Sequence, residues 1–307
     1  MIRYLRCDKG FNEVEEWFPG CWVNVTQPTP GELKKVQERF GIPEDFVDDI
    51  SDPEERPHIE TDSGWTLAII RIPRYEPDSD LQFNTAPMGV MVKDDVIVTI
   101  CNFANDLTVD FIDHTQRRNI EIPSAPDFIL RLLNSSAYWF MRYMKAIKLI
   151  REQAEDELER SIRNEDLLQL LQLQKALVLF ATAIKGNLLV LERLRRMYPQ
   201  TIGRELLEDV EIELRQADST VEVANAMFDR TLDTYANVIS NNVNAIMKRL
   251  TSISVILMVP TLIASFYGMN VDIGISSTNT MAFWVIIGVA ILLTVLACVW
   301  LKRIHWL

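Results

Sequence analysis

The side chains best suited to chemistry fall between Asn244 and Asn270. Counting from Asn244 in steps of three and four gives Met247, Thr251, Ser254, Met258, Thr261 and Ser265. A period of about 3.5 residues places all of them on one helical face. That face carries amide, thioether and hydroxyl groups. The other faces carry Ile246, Leu250, Ile253, Ile256, Leu257, Leu262, Ile263 and Phe266. Tyr267-Gly268-Met269-Asn270 closes the stretch. Neutral oxygens of this kind suit contact with the water shell of a divalent cation. Mg2+ gives up water reluctantly and demands octahedral geometry. A ring of carboxylates would hold such an ion more tightly and slow its release. Hydroxylated stripes also occur where membrane helices pack together, so the stripe admits packing as well as a narrow wet path. The polar turn Gly268-Met269-Asn270 favours the path. Gly268 is expected to use backbone angles closed to other residues and to turn the chain toward an axis. Asn270 then presents one amide oxygen per subunit.

Two membrane spans must position this stripe, one at about 250–266 and one at about 282–301. A bilayer needs about 20 apolar residues. The loop between them, 267–281, contains no Lys or Arg. Lys248 and Arg249 precede the first span, and Lys302, Arg303 and His305 follow the second. The positive-inside rule then places both termini in the cytoplasm and the loop outside, across the plasma (inner) membrane, with Trp284, Trp300 and Trp306 as interfacial anchors. Two helices cannot enclose a path, so several copies must surround an axis as a closed cyclic oligomer.

Composition narrows the function classes. The chain has 307 residues and a net charge of −12, which argues against nucleic acid as a partner. Cys7, Cys21, Cys101 and Cys298 show no metal or redox spacing, as expected of a reduced compartment. Met1 to Lys9 is not followed by the apolar core of a signal peptide. No phosphate-binding loop and no nucleophile–base arrangement stands out, so neither an enzyme nor an organic cofactor is expected. An inside-negative potential would suffice as the driving force, worth about 4.6 kcal/mol per 100 mV for a divalent cation.

The fold class read from the chain is α+β with membrane helices. Residues 1–125 form an α/β domain, 126–249 a long-helix bundle and stalk, and 250–307 the transmembrane domain. Strands are expected at Cys21–Val25, Trp65–Ile72, Met88–Val92 and Val96–Cys101, with Asp94-Asp95 as a hairpin turn. Helices are expected at Thr29–Phe40, with Pro30 following an N-cap, and at Pro43–Ile50. Asp127 to Arg160 and Glu165 to Tyr198 read as long amphipathic helices broken near Arg163-Asn164. A third begins near Glu205 and meets no proline before Pro260.

Tyr-Gly-Met-Asn after the first of two C-terminal spans, behind a long stalk and an α/β domain, resembles the CorA family of magnesium transporters over the whole chain. The intact middle Met269 is less similar to the family's zinc-transporting branch. The resemblance implies a homopentameric funnel with the first span lining the pore and Asn270 as the external selectivity ring. It implies pore-lining roles for Thr261, Met258, Met247 and Asn244, with Met247 and Leu250 in a hydrophobic constriction. Continuing the stripe backward reaches Ser240, Asn237 and Asp233. Asp233 would be an acidic ring at the inner mouth or a solvated stalk residue. The resemblance further implies closure by internal Mg2+ held between subunits. Gly41-Ile42-Pro43 to Asp48-Asp49-Ile50, followed by Arg56-Pro57, matches the segment supplying one carboxylate, from Asp49 with Asp48 beside it. Asp209 matches the other by its distance before Asn270. Alternatively, Asp48 and Asp49 only end an acidic helix.

The chain also departs from the family pattern. The loop after Asn270 has Asp272 as its only charge, where many members carry a Met-Pro-Glu segment. Asn134-Ser135 stands where an acidic site residue can occur, and Pro260 lies one position from the usual proline. The competing readings are a Zn2+, Co2+ or Ni2+ transporter, with or without proton coupling, and a non-conducting membrane-anchored sensor. His58, His114 and His305 are scattered, so no site for soft metals is expected.

Overall fold

The computed structural model describes residues 1–160, 164–269, 280–304 and 306. It divides into two compact units, Met1–Arg230 and Thr231–Leu307. The first is built on seven strands: β1 (Ile2–Cys7), β2 (Phe11–Val14), β3 (Cys21–Thr26), β4 (His58–Asp62), β5 (Trp65–Tyr75), β6 (Phe83–Lys93) and β7 (Val96–Cys101). They form one sheet in the order β2-β1-β3-β7-β6-β5-β4. Only the β3–β7 pairing is parallel. The expected strands are all present, and β5 and β6 extend beyond their expected ends.

β1, β2 and β4 escaped the sequence reading because they lie toward the sheet edges. Charged residues break their apolar pattern, as in Ile-Arg-Tyr-Leu-Arg-Cys and His-Ile-Glu-Thr-Asp. The hairpin at Asp94-Asp95 joins Lys93 to its partner Val96, and Asp94 takes a positive φ of 48°.

Helices cover both faces of this sheet. α1 (Pro30–Phe40) starts in a capping box between Thr29 and Glu32 and stops at Gly41, where φ is 63°. α2 (Glu44–Ser51) follows. Their Val36, Phe46, Val47 and Ile50 pack with Trp65, Leu67 and Ile69 of β5. Side chains alternate across a strand, so Ala68, Ile70 and Ile72, all fully buried, face the other side. α4 (Ala125–Arg160) and α5 (Asn164–Met197) cover that face. Burial on both faces explains why β5 reads as a nearly continuous apolar run. α3 (Asp106–Arg118) packs beside α4. It was also missed, although Leu107, Phe111, Ile112 and Thr115 carry a helical spacing and Asn105 caps Thr108.

The remaining helices are α6 (Arg204–Tyr267), which contributes to both units, and α7 (Thr280–Arg303). Among the described residues, three helices are long and apolar enough to cross a membrane: α5, α6 and α7. Burial separates them, since the apolar window of α5 is 39% buried and those of α6 and α7 are each 6% buried. α5 spends its apolar residues on α4 and the sheet, through Leu170, Leu177, Phe180 and Ile184. Exposed apolar surface of the extent seen on α6 and α7 calls for lipid or partner helices.

Burial also sets thiol chemistry. It raises the Cys101 thiol to about 11, against weaker lowering by hydrogen bonds from Phe103 and Asn105. The thiolate is the nucleophile. Cys101 should therefore resist alkylation at about pH 8, near the ordinary thiol range, until the protein is unfolded. Peptide mapping after iodoacetamide treatment reads this directly, and rapid labelling in the native protein would contradict it.

Candidate functional site

In the second unit, one side of α6 is occupied by α7. Ser252, Ile256, Val259, Ile263 and Tyr267 recur at about 3.5-residue steps and are buried or half-buried. Pro260, Ile263 and Ala264 line an apolar cleft with Ile286, Ile287 and Ala290 of α7. The stripe lies on the opposite side. Asn244, Met247, Thr251, Ser254, Met258, Thr261 and Ser265 are all exposed, and so are Leu250 and Asp233. The stripe is thus not used to pack α6 on α7.

Two of its hydroxyl protons are turned inward. Ser254 Oγ donates to Leu250 O at 2.9 Å, and Thr261 Oγ1 donates to Leu257 O at 2.7 Å. Back-bonding of this kind uses the proton within the helix. The outward face of each hydroxyl is then an acceptor, the polarity that water hydrogens around a cation require.

α6 ends just past Tyr267. Gly268 N–H donates to Ala264 O at 2.9 Å. Gly268 is not among the positive-φ glycines. The local demand is steric, because a Cβ there would meet Ala264 O at 3.2 Å. Met269 is exposed. Asn270 and the loop through Asn279 lie outside the described residues, as does His305.

The first unit gathers a second set of polar groups. Asp49 on α2 is half-buried, while Asp48 and Asp209 are exposed. Burial raises the Asp49 carboxyl above its ordinary value. Glu55, Glu60 and Asp45 push the same way, and His58 opposes them. The ionised form is thus disfavoured in the fold. The protonated carboxyl favours folding below the ordinary carboxylate range, and that contribution is lost as pH rises through the raised value. Asp209 is not among the charges acting on Asp49 within one chain.

His58 corrects the expectation of scattered histidines. Its Nε2 lies 3.8 Å from Asp49 Oδ2 and 3.7 Å from Glu60 Oε2. Sequence reasoning passed over it because Asp49 comes from another element. His58 and Glu60 are two apart on β4 and so share a face, which was the available signal. The linker between α2 and β4 is anchored from the sheet. Arg71 donates to Glu55 O at 2.8 Å and to Thr85 O at 3.0 Å. Pro57 packs against Gly186 of α5, where a Cβ would come within 2.5 Å of the proline ring.

Asn134 and Ser135 line a cavity of about 420 Å³ with Arg117, Arg118 and Arg131. Three arginines against Asp110 make the lining of this cavity basic on balance.

The model of a family described as "CorA-like Mg2+ transporter protein" matches residues 20–303. The "Cobalt/magnesium transport protein CorA" of Methanocaldococcus jannaschii is 26% identical over 296 residues, covering 93% of this chain and 91% of the relative. The protein of that name from Thermotoga maritima is 25% identical over 293 residues, covering 93% and 83%. In structure, the chain is similar to the complete CorA magnesium transporter of M. jannaschii, with a TM-score of 0.84, 22% identity, and coverage of 100% and 99%. It is also similar to the full-length CmaX protein, with a TM-score of 0.69, 15% identity, and coverage of 98% and 97%. At these identities the structural matches establish a shared fold.

Proposed function

The chain belongs to the CorA-like Mg2+ transporter family, and from that premise we propose that it carries Mg2+ into the cell through a pore formed by several copies of α6. The copies form a homopentamer in the plasma membrane, with both termini cytoplasmic. The first 125 residues and the helical segment through residue 249 lie inside the cell, and 250–307 form the membrane domain. The observation that carries this reading is the exposed stripe on α6, whose acceptor oxygens point away from α7. A ring of such oxygens holds a hydrated divalent ion through its water shell and releases it readily. Gly268, Met269 and Asn270 form the external filter, and Asp233 the acidic inner mouth. The membrane potential drives entry. The test is uptake into proteoliposomes containing a magnesium-sensitive dye. Uptake should rise as the interior is made more negative. An absence of flux for every divalent cation tried would favour a membrane-anchored sensor.

Closure is proposed to follow internal Mg2+ binding at Asp48 and Asp49 of one subunit and Asp209 of its neighbour. Exposed carboxylates facing one another across a subunit boundary repel, and a divalent ion relieves that repulsion. Occupancy would then bias the pentamer between two packings. Replacing Asp49 and Asp209 together by Asn should weaken inhibition of uptake by internal Mg2+, shifting the inhibitory concentration upward. An unshifted curve would remove these residues from the switch. Because the curated relatives are named for cobalt as well as magnesium, Co2+ is a second cargo to test in the same assay. Zn2+ and Ni2+, with a pH gradient imposed, complete the comparison.

A further inference from the structure

We propose that Asp49, His58 and Glu60 form a metal site within a single subunit, suited to a borderline cation of the Zn2+, Co2+ and Ni2+ class rather than to Mg2+. One ligand atom from each residue lies within 4.8 Å of the other two. Ligands about 2.0 Å from a tetrahedral ion stand about 3.3 Å apart. The two contacts of His58 Nε2, 3.8 and 3.7 Å, need to close by only a few tenths of an ångström to reach that spacing. They are too long for hydrogen bonds, so the atoms converge without bonding one another.

The ring of His58 is aimed independently of the two carboxylates. Its Nδ1 lies 2.9 Å from Arg56 O. A carbonyl only accepts, so Nδ1 carries the hydrogen, and in the neutral ring Nε2 is a bare lone pair near the carboxylates of Asp49 and Glu60. A backbone carbonyl that fixes the tautomer of a ligating imidazole is the usual outer-shell arrangement of such sites. Arg56 is held in turn by its neighbours, since Glu55 O is bound by Arg71 and Pro57 is wedged on Gly186.

The nitrogen decides the class of ion. Mg2+ prefers oxygen ligands and keeps several waters. Imidazole with carboxylates suits Zn2+, Co2+ and Ni2+. Three protein ligands leave room for water at a fourth position. The remaining explanation for the cluster is a protonated His58 bridging the carboxylates of Asp49 and Glu60, with Glu55 Oε1 3.6 Å from its Nδ1, and no metal at all. The site shares Asp49 with the proposed Mg2+ switch, so its effect on closure rests on that reading. Its capacity to bind metal does not.

The test uses the purified full-length protein in detergent, titrated with Zn2+ in the presence of a large excess of Mg2+. Mg2+ saturates sites built from oxygen alone. One Zn2+ per chain should remain bound. His58→Gln and Glu60→Gln should each weaken retention by about tenfold or more, since even outer-shell partners of a ligand are worth about 10- to 100-fold. Asp209→Asn should leave retention unchanged. With Co2+ in place of Zn2+, the visible absorption of a low-coordinate ion should appear and be lost in His58→Gln. No Zn2+ retention in the wild type, or equal retention in both variants, overturns the site and leaves the bridging imidazolium. If His58→Gln elutes as an aggregate, Glu60→Gln decides. Should Mg2+ closure prove independent of Asp49 and Asp209 while Zn2+ retention still needs His58, the switch fails and this site stands.

Discussion

Potential-driven Mg2+ uptake should fall to the protein-free level when Asn270 is replaced by Ala. In the proposed oligomer the amide is repeated in every subunit, so one substitution would remove the whole ring. The loop that follows carries only Asp272 as a charge, so no carboxylate ring beyond it is expected to compensate. The stripe supplies a graded version of the same test. Ser254→Leu and Thr261→Leu replace acceptors by branched apolar groups on the exposed face. A hydrated ion would have to pass a dry constriction at that level, and hydrophobic constrictions gate by dewetting. Each should slow uptake about tenfold or more, equivalent to at least about 1.4 kcal/mol on the barrier. Ser252→Ala is the contrasting case. Its hydroxyl is buried on the other side of α6 and donates to Trp306 O at 3.2 Å. That change should leave uptake close to wild type. If the stripe variants conduct normally while Ser252→Ala does not, the stripe is a packing surface between helices and the proposed path is wrong.

Asn187→Ala should be among the most destabilising single changes outside the membrane. Asn187 is fully buried on α5. Its Oδ1 accepts from Arg71 N at 2.9 Å, and its Nδ2 donates to Arg71 O at 2.8 Å. Arg71 lies on β5 beyond the last residue paired with β4, which is Ile69 opposite His58. Its backbone groups on that side have no strand to bond, and the side-chain amide takes the strand's place. Alanine would leave both without partners in the core. Each unsatisfied buried group costs about 1–3 kcal/mol, against a total stability of about 5–15 kcal/mol. The same helix offers a control in Thr182, which is exposed and bonds only its own helix at Val178 O. Thr182→Ala should stay within about 0.5 kcal/mol. Thermal unfolding of the full chain in detergent compares the two. Equal midpoints would show that Asn187 is not the anchor of this strand end.

The sequence by itself determined what depends on near neighbours in the chain. The 3.5-residue stripe, the two apolar spans, the N-cap at Thr29 before Pro30 and the hairpin at Asp94-Asp95 are each defined by residues close together in the chain. Local periodicity and turn chemistry were enough to read them. The match to the CorA-like family also rests on such local features, kept in order along the chain. What depends on distant residues was hidden. α5 has the apolar composition of a membrane span, and only its packing on α4 and the sheet shows where that surface is spent. The edge strands β2 and β4 lack an apolar pattern of their own and exist because a neighbouring strand pairs with them. Asn187 reads as an ordinary polar position until Arg71, 116 residues away, is placed beside it. His58 looked isolated for the same reason. Strand alternation joins it to Glu60, but only the crossing of α2 over the sheet brings Asp49 to both. A side chain's role at such points is set by what the fold delivers to it, and no spacing within one element can report that.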